Sequence, residues 1–244
     1  MSGLFGLLYG IIAYAISLVA IVYSVGFVGD LWVPKSIDSG PAGPVLEAVI
    51  VNLVLLGLFA AQHSIMARQG FKHWLTSIIP QPIERSTYVL AASLVLLLIF
   101  WQWRPIPEIV WNVTSEPGRT ILWAIFWLGW ATVLFSTFLI DHFDLFGLRQ
   151  VAANWQGKPA PSPGFRTPML YQFVRHPIYF GFLLASWAIP TMTLGHLLFA
   201  VGITGYIFIG IFLEERDLVA LYGDKYRDYR RRVSMVVPMP PKKK

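Results

Sequence analysis

Hydrophobic positions along this chain fall into long unbroken blocks rather than into alternation. Residues 3–29 contain no Lys, Arg, Asp, Glu or His. A run of that length spans a hydrocarbon core of about 30 Å at about 1.5 Å per residue. Four apolar segments stand out, at about 4–28, 44–67, 86–104 and 119–140. A fifth block, 177–213, is too long for one crossing. Within it Pro190 is followed by "TMTLG", which predicts a tight hairpin of two helices, 177–190 and 194–213, with the first arm short and tilted or only partly spanning. A cleavable signal peptide does not fit: there is no basic leading segment, the first run is too long, and further spans follow. The pattern predicts an all-α fold, a polytopic integral membrane helical bundle. It has about six membrane-embedded helices, or five if the last hairpin counts as one element. We expect a single domain over 1–244, with amino-terminal spans in 1–118 and a second half in 119–244.

Composition sharpens this reading. Only 13% of residues are charged, against about 25% in a soluble domain, and the mean hydropathy is +0.59. There is no cysteine, which excludes disulfides, thiolate metal sites and a cysteine nucleophile. The net charge of +6 is explained by topology without nucleic acid, for which there is no binding motif. Sixteen of the nineteen Lys and Arg lie in 68–85, in 141–176 or from Arg216 onward; only Lys35, Arg104 and Arg119 fall between the other span ends. The positive-inside rule then places both termini in the cytoplasm, and we expect a bacterial inner-membrane protein. Membrane lipid is an expected partner. The sequence carries no signal for oligomeric state.

Polar groups collect at one end of the spans. On the basic side lie His63, then Asp141, His142 and Asp144, then Arg175, His176 and Tyr179, then Glu214, Glu215 and Arg216. Glu47, Glu108, Glu116 and His196 are scattered at the other. Ionisable groups at a membrane edge are costly to leave unpaired, so the accumulation predicts a polar pocket on the cytoplasmic side. The proline-containing stretch 141–176 is its expected cap. The tail should continue the last helix, with Leu218, Tyr222, Tyr226, Tyr229 and Val233 forming an amphipathic stripe that lies at the interface. The terminal "PKKK" is expected to touch anionic lipid.

Each piece has a plainer reading. Arg175 suits snorkelling to headgroups, His176–Pro177 suits a helix start, and Asp141 and Asp144 suit a turn paired with Arg149. The Trp123, Trp127 and Trp130 spacing suits packing. His63, His142, His176, Asp141 and Glu215 are metal-ligand types, but no His pair has the spacing of a helical metal site; no metal is expected.

The segments "RHPIYFG" (175–181), "EERDL" (214–218), "YGDKYRDY" (222–229) and Pro238 together resemble the isoprenylcysteine carboxyl methyltransferase and phospholipid methyltransferase superfamily. That likeness covers about residues 170–240. Upstream, "AQHSIMARQGFK" (61–72), "ERSTYVL" (84–90), "WQWRP" (101–105) and "DHFDLFGLRQV" (141–151) resemble the methanethiol S-methyltransferases, relatives of the NnrU-like membrane proteins. This extends the resemblance over nearly the whole chain. It implies S-adenosyl-L-methionine as methyl donor, bound by the second half. The positions it implicates are Tyr171, Gln172, Val174, Arg175, His176, Tyr179, Gly181, Glu214 and Glu215. Arg175 and helix-start N–H groups suit the donor's anionic or acceptor groups. The two glutamates suit its ammonium or ribose hydroxyls, and Tyr179 its sulfonium or adenine.

The implied reaction is in-line transfer to the sulfur of a small volatile thiol, turning methanethiol into dimethyl sulfide. Because the thiolate is the nucleophile, the reaction asks for a base or a stabilising cation. The expected catalytic set is Asp141 and His142 as proton acceptor, with Arg149 or Arg175 holding the thiolate. Three alternatives keep the architecture: another methyl acceptor (a different small thiol, a prenylcysteine or a phospholipid), an NnrU-like protein without activity, and sterol reductases, whose longer chains argue against them.

Overall fold

The computed structural model describes residues 3–159 and 164–241. Its elements are α1 (Gly3–Gly29), α2 (Val45–Met66), α3 (Gln69–Thr76), α4 (Glu84–Gln102), β1 (Ile109–Asn112), α5 (Glu116–Ile140), α6 (His142–Leu145), α7 (Leu148–Trp155), α8 (Pro177–Trp187), β2 (Thr191–Thr193), α9 (Leu194–Tyr222) and α10 (Asp224–Arg232). Among them α1, α2, α4 with the turn before it, α5 and α9 are long and apolar enough to cross a membrane. The protein is an all-α integral membrane helical bundle. It divides into two compact units, Met1–Pro107 with Asp141–Pro163, and Glu108–Ile140 with Gly164–Lys244. The division precedes the expected 118/119 boundary, and the chain re-enters the first unit after α5.

In the first unit, α1 buries Gly6, Gly10, Ala13, Ser17 and Ala20, a stripe of small residues at three- and four-residue spacing. Lipid tails are as apolar as leucine, so helices in a membrane gain by close approach of small faces rather than by hydrophobic burial. Ser93 of α4 donates to Ser17 across 2.9 Å. A Cβ on Gly10 would lie 2.6 Å from Val151 Cγ2 of α7, so the glycine is what lets α7 dock on α1. Gly147, at φ +86°, makes the turn between α6 and α7 directly against the Ser86 backbone. The stretch expected to form the cap, 141–176, is divided between the two units. Residues 141–159 fold as two short helices and a following turn in the first unit, while 164–176 belong to the second. The residues between, 160–163, lie outside the described ones, as do Lys242, Lys243 and Lys244 of the basic end.

In the second unit, α5 and α8 meet at two glycines. A Cβ on Gly181 would lie 2.6 Å from the Gly129 carbonyl oxygen, and one on Gly129 would lie 2.7 Å from the Gly181 oxygen. Trp123, Trp127 and Trp130 set their rings edge-on to the buried Phe126, and Trp130 does the same to Phe182; they pack. The anticipated hairpin takes another form. Helix α8 stops at Trp187, about 16 Å long at about 1.5 Å per residue. Residues 188–190 turn, with Ile189 N donating to the Trp187 oxygen at 3.0 Å, and Thr191–Thr193 form a strand that leads into α9. Extended backbone within a membrane protein needs partners for its polar groups, and β1 provides them. Ile109 pairs with Thr193 and Asn112 with Thr191, while Val113 N donates to the Pro190 oxygen at 2.9 Å. No alternating pattern marked 109–112 beforehand.

Helix α9 runs to Tyr222, past the apolar block, and ends where Gly223 takes φ +58°. The tail thus continues the last helix as expected only as far as Tyr222, and beyond Gly223 it forms a separate helix, α10. Its stripe is also reassigned. Tyr226, Tyr229 and Val233 are buried, and Phe165, Leu218, Val219 and Tyr222 pack against them. The apolar face that was expected to lie on the membrane is consumed inside the protein.

Candidate functional site

Helix α8 begins with His176 at its cap and Pro177 in its first turn, a position where the missing N–H costs nothing. Opposite stand Glu214 and Glu215 near the end of α9. Glu215 is the hub. Its Oε1 accepts from Arg175 Nε at 2.6 Å and from His176 Nε2 at 3.1 Å, and Arg230 Nε lies 3.6 Å from Oε2. The side chains of Arg175 and Glu215 are 9% and 10% exposed. Two charges so withdrawn from water are tolerable only when both are fully hydrogen-bonded. Arg175 completes its set by donating from Nη1 to the carbonyls of Val233 and Arg230. Its backbone N–H goes to Ser234, and that of His176 to Met235. Arg175 is thus a staple between α8, α9 and the segment after α10, and its guanidinium is occupied within the protein.

Glu214 differs from its neighbour. Its Oε2 accepts from the Tyr179 hydroxyl at 3.0 Å and lies 3.7 Å from His176 Nδ1, yet its side chain remains 43% exposed. Tyr179 and His176 rings stand 5.6 Å apart. Tyr171 is buried, its oxygen accepting from Tyr229 Oη at 2.6 Å, and burial raises both phenols. Val174 is buried and bridges to Ser234, while Gln172 is exposed. Gly181 sits at the α5–α8 contact, where its lack of a side chain serves packing.

The first unit holds a second polar cluster. His142, buried, is 2.9 Å from the Tyr14 hydroxyl through Nε2, with Phe146 tilted 4.8 Å away. Burial pushes its imidazole below the ordinary range. Asp141 caps α6 by accepting from Asp144 N at 3.2 Å and pairs with the exposed Arg149; this is the turn pairing that the plainer reading describes. Asp144 accepts from Gln150, and burial first, then the nearby Asp141, raises its carboxyl against the pull of Arg85 and Arg149. His63 on α2 is 2.7 Å from Tyr88 of α4, whose ring lies under the Arg85 guanidinium at 5.1 Å. Arg85 also donates to the Leu145 oxygen at 2.8 Å.

The structure thus gathers Arg175, His176, Tyr179, Glu214 and Glu215 in the second unit, and Asp141, His142 and Arg149 in the first. Sequence reasoning missed Tyr14, Tyr88 and Arg230. Tyr14 is one of several hydroxyls in the 3–29 block, beside Tyr9, Ser17, Tyr23 and Ser24, so nothing local singled it out; Arg230 was hidden in a run of three arginines. Among the described residues no group of three or more His, Asp and Glu gathers as a metal site would.

No family model matches the chain, and no solved structure matches it. Curated proteins do. It is 59% identical to a methanethiol S-methyltransferase of Mycobacterium tuberculosis over 96% of each chain. It is 51% identical to a methanethiol S-methyltransferase of Crocosphaera subtropica over 100% of this chain and 95% of that one. A more distant relative is nurim of Bos taurus, 32% identical over 71% of this chain and 69% of its own. With identity of this order over nearly the full length of each chain, the chain belongs to the methanethiol S-methyltransferase family.

Proposed function

We propose that this enzyme transfers the methyl group of S-adenosyl-L-methionine to methanethiol, releasing dimethyl sulfide and S-adenosylhomocysteine. The observation that carries the reading is the end-to-end identity to proteins named for this transfer. The thiol loses its proton, its sulfur bonds to the donor methyl carbon, and the bond from that carbon to the sulfonium breaks. Alignment and exclusion of water supply most of the rate in such a displacement.

The donor is assigned to the second unit. Glu214 offers the accessible carboxylate, oriented by Tyr179 and His176, and suits the donor's ammonium or ribose hydroxyls. Glu215 and Arg175 neutralise each other beneath it and hold its helix end rigid. On this reading Arg175 serves as a positioning residue rather than holding the thiolate. The thiol's proton is assigned to Asp141 or His142; burial favours the neutral imidazole of His142, the form that can accept a proton, while lowering its basicity. Asp141 and Arg149 fix the turn that carries it.

Both termini are assigned to the cytoplasm. The basic segments 68–85, 141–176 and 216–244 then share a side, with α8 and its strand supplying the sixth pass. Calorimetry with S-adenosyl-L-methionine and headspace detection of dimethyl sulfide from membranes given methanethiol test the proposal. Donor binding without dimethyl sulfide would redirect it to another acceptor; no donor binding would end it.

A further inference from the structure

Helix α10 presents five cations, Lys225, Arg227, Arg230, Arg231 and Arg232, against two carboxylates, Asp224 and Asp228. An amphipathic helix that follows a membrane span ordinarily binds the interface through its apolar face. Here that face is spent on Phe165 and the end of α9, so what α10 turns outward is cationic. The outward groups are ordered: Arg227 donates to Asp224 at 2.8 Å, Arg231 to Asp228, and Arg230 reaches Glu215. Each such contact uses a fraction of a guanidinium's five donors. Between them lies an open depression of about 340 Å³ lined by Val219, Arg227, Arg230 and Arg231.

Depth decides what meets this surface. Helix α9 is 29 residues long, about 43 Å at about 1.5 Å per residue, and exceeds a hydrocarbon core of about 30 Å by more than two turns. Its end, with α10 beyond Gly223, therefore stands at headgroup level, where phosphate is the abundant anion. We propose that the arginine-lined depression on α10 is a binding site for the headgroup of an anionic phospholipid. Its phosphate is held by Arg227, Arg230 and Arg231 while the acyl chains stay in the bilayer. The proposal does not depend on the reaction assigned to the protein.

The test uses the full-length protein in neutral detergent, with lipid adducts measured by native mass spectrometry. The probes are phosphatidylglycerol, phosphatidylcholine, inorganic phosphate and a short single-stranded RNA. The Arg227→Gln/Arg231→Gln variant leaves Arg230 on Glu215. It should bind phosphatidylglycerol about thirtyfold more weakly, about fivefold for each basic residue removed near an anionic surface, while Arg227→Lys/Arg231→Lys retains most of the binding. Wild-type binding should weaken as salt rises and exceed phosphatidylcholine binding. Equal retention of phosphatidylglycerol by wild type and the Gln variant, with unchanged melting temperatures, would overturn the proposal. So would equal binding of the two lipids, or preference for phosphate or RNA over phosphatidylglycerol. If the Gln variant fails to fold, the salt dependence and lipid selectivity of the wild type decide by the same criteria.

Discussion

The two polar clusters solve the same problem, buried ionisable chemistry in a membrane protein, by opposite means. In the second unit Glu215 is embedded with Arg175 and charge is matched by charge, closed off by backbone carbonyls. In the first unit His142 and His63 sit with the phenols of Tyr14 and Tyr88, and neutral partners suffice. An ion pair withdrawn from water holds its geometry firmly because breaking it strands a charge. A neutral pair is cheaper to disturb and leaves its imidazole able to exchange a proton. The first arrangement suits a rigid cradle; the second suits proton transfer.

The comparison breaks most sharply at Glu215. Glu215→Ala strands the Arg175 guanidinium, and a loss of about 3–5 kcal/mol is expected, read as a collapse of the melting temperature in detergent. Arg175→Lys should recover little, since one ammonium cannot span Glu215 and two carbonyls. Next, Gly181→Ala forces α8 away from α5 and should cost about 1–3 kcal/mol, by the same assay. Glu214→Gln should leave melting nearly unchanged but weaken S-adenosyl-L-methionine binding about tenfold, as removal of a charge-assisted hydrogen bond does. Unchanged binding would detach Glu214 from the donor. In the first unit, Tyr14→Phe should cost about 1 kcal/mol of stability, while His142→Gln should lower turnover more than donor affinity.

The smallest effect expected is one of pH. Burial lowers the His142 imidazole, so the unfolded chain binds the proton more readily, and stability falls as pH drops through the unfolded value of about 6.5. The melting temperature should decline on acidification in the wild type and decline less in His142→Gln. Equal slopes would show that other groups carry the dependence.

Much of this was legible beforehand because it rests on local composition. Long uncharged blocks leave helices as the way to satisfy backbone polar groups in lipid, so α1, α2, α4 and α5 appear close to their expected bounds. Cations and carboxylates at "RHPIY" and "EERDL" had to be reconciled with burial, and Arg175, His176, Glu214 and Glu215 do meet. The same letters could not tell Glu214 from Glu215. Adjacent residues on a helix point about 100° apart, and which one faces Arg175 depends on how α9 turns against α8.

What the sequence determined by itself was the class of protein, its apolar helices and the residue types of its charged cluster, since hydropathy and charge act over a few residues. Only the tertiary structure decided the partners. It seated 141–159 on α1 through Gly10 and on α4 through Gly147, followed α8 with a strand paired to 109–112, and turned the tyrosines of α10 inward upon Phe165. Each of these rests on contacts between segments distant along the chain, which depend on shape at the point of approach and leave no periodicity to read.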